Sequence, residues 1–501
     1  KICPPRYYRP VKCRLAPNHP FFPESPVPVE WTVTDAPAPP TLPSSHHSKM
    51  RIQVNHSTMV RPAHPTPRRL LWTSNLDHVV RRSHVLLVYF FRTDGYPNFF
   101  EAGLLKDALS KSLVPFFPMA GRSRLDQTRR RVIHCDAQGV LFVEAEAGST
   151  SLDDLGDLAP RPEFRRLVPE ARHADDDPSG EHPLFLLQLT RFRCGGASLG
   201  VAFHHILGDG TSLGQFMHTW ADMARCLPGG TATPFHERSA LAARHPPTPC
   251  FPHLEYAEPP SLASGPAGAD SPSESVTAIF RLSAADLEVL KAQANEGGPP
   301  GRCSTYEAVA AHVWRCACEA RALPSGQETM MRTHVNGRPR LRPPLPPGYF
   351  GNAIFTTVAA GAAGELRGNP LAVAAGRVRE ALARMDDGYM RSALDHLEKR
   401  PDLPTLSRGA RTFRSPNIAL TSWVNLRLSD FDFGWGKPAF MSPAEVPFEG
   451  FGYLLPSPAA GDERSLSVSV VIRLQPEAME RWKNVFYDFR WWRNSRQRSK
   501  L

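Results

Sequence analysis

The densest cluster of groups able to do chemistry is Phe203-His204-His205-Ile206-Leu207-Gly208-Asp209-Gly210-Thr211-Ser212, which follows an apolar strand. A histidine at a strand end, beside glycines that let a backbone approach closely, suits a general base facing a cleft. Imidazole titrates near neutrality, so it can take a proton from an acceptor and return it to a leaving group. The plainer reading has Asp209, Thr211 or Ser212 capping the next helix and one histidine satisfied in the core. For an isolated His-x-x-x-Asp that reading prevails. Here the adjoining strand, both glycines and a distant second motif, Asp432-Phe433-Gly434-Trp435-Gly436, weigh toward chemistry. Gly196-Ala197-Ser198-Leu199-Gly200 also matches the Gly-x-Ser-x-Gly pattern, whose nucleophile needs a sharp strand-to-helix turn. Ser198 instead opens a strand running through Val201-Ala202-Phe203, so the match reads as a hairpin coincidence.

Several elements must position the histidine. Leu184–Phe192 and Ala197–Phe203 read as strands around Cys194-Gly195-Gly196, a hairpin. Thr211–Cys226 puts Leu213, Phe216, Met217, Trp220 and Met223 on one helical face. Upstream, Arg51–Val54 alternates like a strand, Val85–Arg92 is a buried strand, and Phe100–Leu113 has helical spacing closed by Pro115 and Pro118. Residues 228–275 are rich in proline, glycine and serine and read as a crossover between domains 50–227 and 276–489. Beyond it, Ser283–Asn295 and Ser304–Arg321 begin like capping boxes, Pro370–Leu397 is helical with interruptions, and Ala419–Leu426 and Ser465–Leu474 read as strands. This is a mixed α/β pattern without internal repeats.

The ends differ from this body. Residues 1–49 hold twelve prolines and no periodic apolar face, so they read as a disordered extension before a native start at Met50. The formal charge of +10 is concentrated at the ends, with +3 in residues 1–49 and +5 in the basic tail 490–501. The body is near neutral, which disfavours a nucleic-acid function. The longest apolar run, Val85–Phe91, is far too short to span a membrane, and without an opening basic stretch, apolar core and small-residue cleavage site no secretory signal is expected. Nine cysteines without paired Cys-x-x-Cys spacing imply reduced thiols, an intracellular compartment and no zinc site. Cys316 and Cys318 point in different directions on a helix and read as packing residues.

His205-x-x-x-Asp209-Gly210 and Asp432–Gly436 together resemble the plant BAHD acyltransferases, which use acyl-CoA donors, and the likeness runs from about Arg51 to Phe489. Thr66–Trp72, Leu113–Arg122 and Gly348-Tyr349-Phe350-Gly351-Asn352 fit the same family. The last two stretches and Asn417–Trp423 look most like the hydroxycinnamoyl-CoA:shikimate/quinate hydroxycinnamoyltransferases. The resemblance implies an α/β, two-domain fold like chloramphenicol acetyltransferase, with an active-site channel at the domain interface. Acyl-CoA is then a co-substrate, with no bound cofactor and no metal. His205 would deprotonate the acceptor hydroxyl and reprotonate the CoA thiolate. Asp209 would hold the geometry through a salt bridge, and Thr421 and Trp423 would reach the reacting centre. Arg408 matches the position that pairs with an acceptor carboxylate, and His84 and Tyr89 match acceptor-pocket positions. Ser304 and Thr305, at a helix start, could hold a CoA phosphate or simply cap the helix. Asp432, Gly434 and Gly436 are expected to be structural.

Two departures bear on the acceptor. Val85-Leu86-Leu87 stands where relatives usually have Thr-Pro-Ser, and Asn425 replaces a usual arginine. The expected activity is hydroxycinnamoyl transfer to the hydroxyl of shikimate, quinate or a similar acceptor. The alternatives are N-acylation of an amine, or a non-catalytic binding protein that keeps the fold. A cytosolic monomer is expected, with the peroxisome the alternative if Ser499-Lys500-Leu501 is an exposed address.

Overall fold

A computed structural model describes residues 50–489 apart from 94, 96–97, 157–159, 171–181, 228–232, 263–273, 298–302, 402, 407–408 and 458–466. The proline-rich stretch 1–49 and the basic tail 490–501 therefore lie outside the described residues, as does Arg408.

Two six-stranded sheets organise the described residues. The first runs edge to edge through Gln53–Val60, Val140–Ala147, Phe185–Phe192, Ala197–His204, His84–Phe91 and Phe440–Pro443. Its neighbours are antiparallel except Val140–Ala147 with Phe185–Phe192. A strand covered on both faces should read as a nearly unbroken apolar run, and His84–Phe91 and Ala197–His204 do. Helices Ala102–Ser112 and Gly210–Ala224 bring Leu105, Leu109, Phe216 and Trp220 into one core with Phe185, Leu187 and Leu199 of the sheet. The buried Trp220 indole N–H is not wasted there: it donates to the Leu105 carbonyl at 3.0 Å.

The second sheet runs through Ile354–Ala362, Glu328–Asn336, Ile418–Ser422, Phe451–Pro456, Val468–Leu474 and Val276–Leu282. Its core gathers Trp314, Val378 and Trp482 from helices Thr305–Ala320, Leu371–Ala383 and Pro476–Val485. The Thr305–Ala320 helix is buried on nearly every side, and its alanines let neighbours approach closely. The expected helical stretch 370–397 is two helices, Leu371–Ala383 and Asp387–Glu398, the second capped by the Asp386 carboxylate on the Tyr389 N–H at 2.9 Å. A small third sheet joins Arg69–Leu71, Arg131–Cys135 and Arg122–Leu125.

The expected half 276–489 does not stay with the second sheet. Phe440–Pro443 crosses back to pair with His84–Phe91, with Phe440 opposite Phe90 and Pro443 opposite Leu87. Ahead of that crossing, the backbone N–H groups of Gly434 and Gly436 both donate to the Asp432 carboxylate, at 2.7 and 2.9 Å. Both glycines have positive φ, +107° and +92°, which side chains resist. The turn so formed sets the Phe433 and Trp435 rings against Phe100 in the first core.

Where it is described, the stretch 228–275, expected to be a crossover, is anchored by side chains. Phe235 bridges to Tyr349, Arg238 forms a fully buried ion pair with Asp77 at 3.0 Å, and Arg244 binds Asp395 at 2.7 Å. Proline and glycine content reports a chain without regular hydrogen bonding, and side-chain anchors are invisible to it. Among the described residues six cysteines are free, Cys316 and Cys318 among them as buried helix residues. Among the described residues no helix is long and apolar enough to cross a membrane, and no cluster of side chains suits a metal ion.

Candidate active site

A cavity of about 910 Å³ opens between the two sheets, walled by Val85 and His205 on one side and His334, Thr421, Trp423 and Tyr453 on the other. His205 stands one residue past the Ala197–His204 strand, where its N–H still donates to the Ser83 carbonyl at 3.2 Å. Its Nδ1 lies 3.0 Å from Asn352 Oδ1. The Asn352 amide nitrogen donates in turn to the His205 carbonyl and to Asp77 Oδ1, both at 2.7 Å. Packing at the turn after His205 is close. A Cβ on Gly210 would meet Leu426 Cδ1 at 2.6 Å, and one on Gly208 would meet the Ser212 side chain at 2.7 Å.

Asp209 caps the Gly210–Ala224 helix, accepting from the Thr211 and Ser212 N–H groups at 3.1 and 3.2 Å. Arg338 grips the same carboxylate with both terminal nitrogens, at 2.8 and 3.0 Å, and the Ala353 N–H adds a bond of 3.0 Å. Burial alone would raise this carboxyl. The Arg338 charge and these hydrogen bonds overcome it and hold the group below the usual carboxylate range. The cap and the ion pair are thus one arrangement.

Thr421 and Trp423 come from the end of Ile418–Ser422 and the turn beyond, and both reach the cavity wall. Thr421 Oγ1 lies 2.9 Å from His334 Nδ1. The Trp423 ring packs on Tyr453 with centroids 4.4 Å apart, and the Trp423 backbone N–H donates to the Leu454 carbonyl at 2.8 Å, extending the sheet by one bond. The expected strand to Leu426 stops at Ser422 because the chain turns here to close the wall.

Other expected positions are placed elsewhere. His84 is buried, with Nε2–H donating to the Pro183 carbonyl at 3.0 Å and its ring edge-on to His204. Burial, then the neighbouring His182, pushes it down to about 3. Strand alternation turns it away from the face that Val85 and Leu87 present. Tyr89 shares that face but lies farther along the strand, edge-on to Phe431, and burial raises its phenol. Neither residue lines this cavity. Ser304 and Thr305 are also absent from the wall. Ser304 and Glu307 form a reciprocal capping box, with the Ser304 N–H donating to the Glu307 carboxylate at 2.7 Å. Ser198 lies mid-strand and fully buried, unlike a nucleophile elbow.

Sequence reading missed Asn352, Asp77 and Arg338 as parts of the site. Asn352 closed the stretch Gly348–Asn352 that fitted the family, so a signal existed without a role. Asp77 had none, because a lone acid at a short helix start reads as a cap.

A family model described as the Transferase family matches residues 50–489. The chain is 48% identical over 443 residues to the shikimate O-hydroxycinnamoyltransferase of Nicotiana tabacum, covering 88% of this chain and 100% of that one. It is 46% identical over 452 residues, with the same coverage, to a hydroxycinnamoyl-CoA:5-hydroxyanthranilate N-hydroxycinnamoyltransferase of Avena sativa. The crystal structure of F. sporotrichioides TRI101 complexed with coenzyme A and T-2 shares the fold, with a TM-score of 0.70 at 19% identity over 83% of this chain and 97% of that chain. Fold and site together define an acyl-CoA-dependent acyltransferase, with acyl-CoA as co-substrate. The chain belongs to the Transferase family, that of the BAHD acyltransferases.

Proposed function

We propose that this chain transfers a hydroxycinnamoyl group from its CoA thioester to a hydroxyl of shikimate, quinate or a similar acceptor. The observation that carries the reading is His205 in the wall of the cavity between the sheets, with Nδ1 engaged by Asn352. The ring then presents Nε2 as its basic nitrogen. Nε2 takes the acceptor's proton as the acceptor oxygen bonds to the thioester carbonyl carbon. Donors in the cavity wall would stabilise the resulting tetrahedral oxyanion, and Thr421 and Trp423, which line that wall, are the residues proposed for the role. Collapse breaks the carbon–sulfur bond, and the imidazolium returns its proton to the CoA thiolate. The cavity is of the size that encloses a small ligand. Arg408 is proposed to pair with the acceptor carboxylate, by its place in the sequence alone. A cytosolic monomer belongs to the same reading.

An amine acceptor is the second reading, favoured by one feature of the wall. Arg81 and Glu445 form an ion pair at 3.2 Å there, which brings a carboxylate to a wall that Val85 and Leu87 make partly apolar. The test is a panel of p-coumaroyl-CoA with shikimate, quinate, tyramine and spermidine, read by free-thiol release and product mass. Esters of the two acids, lost in Arg408→Ala, support the first reading. Amides alone would replace it with the second, and release with none of the four would leave a binding protein.

A further inference from the structure

The catalytic imidazole is held by more than its immediate neighbour. Asn352 is fully buried, and an amide can be placed either way round: its oxygen could face His205, or its nitrogen could. Which way it sits decides which ring nitrogen carries the proton. Asp77 makes the choice. Its carboxylate can only accept, so the amide nitrogen must face it, at 2.7 Å. The second N–H of that amide meets the His205 carbonyl, also an obligate acceptor, at 2.7 Å. The amide oxygen is then directed at His205 Nδ1 and can only accept. Nδ1 must carry the hydrogen, and Nε2 the lone pair.

Asp77 is itself held rigidly. Its other oxygen accepts from the Ser74 N–H and hydroxyl at 2.6 and 2.9 Å, and Arg238 pairs with Oδ1 at 3.0 Å. The guanidinium of Arg238 also donates to the carbonyls of Ile206 and Leu207, at 2.9 and 2.7 Å, immediately after the catalytic histidine. One buried acid thus anchors both the amide that faces the imidazole and the backbone that carries it. We propose that Asp77 and Asn352 are positioning residues that lock His205 in the Nδ1–H tautomer, through an amide oriented by a buried carboxylate. The proposal deepens the general-base reading and rests on it.

The test combines tautomer and turnover. In protein labelled with 15N-histidine, with the His205 signals assigned by their loss in His205→Gln, wild type should show a protonated Nδ1 and an unprotonated Nε2. Asn352→Ala removes the acceptor, and Asp77→Asn lets the Asn352 amide turn over. In both, the Nδ1–H population should fall and kcat should drop by roughly 10²-fold or more, the lower bound of general-base worth. KM for both substrates should stay near wild type, since neither side chain is in the wall. Should Asp77→Asn not fold, because Arg238 loses its partner, Asn352→Ala decides alone. Wild-type kcat and an unchanged Nδ1–H signal in the folded variant would overturn the proposal while leaving the base reading intact. Full turnover in His205→Ala would instead remove the base reading, whatever the tautomer.

Discussion

Asp209→Asn tests whether the motif aspartate works by holding the site together. The change is nearly isosteric, so its cost is readable from the donors that surround the carboxylate. With the amide oxygen in place of Oδ1, the cap bonds from Thr211 and Ser212 and one Arg338 bond survive. The amide nitrogen then replaces Oδ2, where Arg338 Nη1 at 2.8 Å and the Ala353 N–H at 3.0 Å both donate. Two buried donors lose their acceptor, at about 1–3 kcal/mol each. The guanidinium, 13% exposed against 2% for its partner, also loses its counter-charge. Breaking a buried pair from one side costs about 3–5 kcal/mol, which is the expected loss. Urea unfolding followed by tryptophan fluorescence at pH 7 measures it, and Arg338→Met in the Asp209→Asn background should cost much less than the two single changes added together. The wild-type carboxyl is held low, so the stability it supplies is complete above the ordinary carboxylate range near pH 4 and disappears as pH falls through its folded value. A loss below about 1 kcal/mol, the level of an exposed pair, would refute the reasoning.

Three further outcomes are expected. His205→Ala should lower kcat by roughly 10²- to 10⁴-fold while its urea midpoint stays near wild type; a comparable loss of stability would return His205 to the role of a core residue. Thr421→Val should lower kcat by roughly 10²-fold with little change in KM if its hydroxyl serves the oxyanion, and equal losses in binding and turnover would contradict that. His84 is depressed to about 3, chiefly by burial, so its contribution to stability is whole above pH 6.5 and drains as pH falls from there. From pH 6.5 to 5 one such ring accounts for about 2 kcal/mol. His84→Leu should therefore flatten the decline of stability between pH 7 and pH 5, and an unchanged slope would show that other groups carry it.

Much of the fold could be read along the chain because its signals are local. Ala197–His204, the Gly210–Ala224 helix and the capping boxes at Ser283 and Ser304 depend on periodicity and on groups a few residues apart. The reactive histidine was legible for the same reason, since strand end, glycines and helix cap lie within ten residues of one another. Resemblance settles less at His84 and Tyr89, which match acceptor-pocket positions but sit on opposite faces of one strand, because which face a cavity occupies depends on what covers the other one.

What amino-acid order determined by itself was the inventory: an imidazole after an apolar strand, an acid four residues on, and a tight glycine turn far downstream. Tertiary structure alone decided that Asn352 and Asp77 stand behind His205, that Arg338 closes on Asp209, and that Phe440–Pro443 returns to the first sheet. The physical reason is range. Propensity, capping and periodicity act over one or two turns of chain, whereas Asn352 lies 147 residues from His205 and 275 from Asp77. Contacts at such separations become favourable only once burial has brought two whole sheets together and removed the water that would otherwise satisfy each polar group.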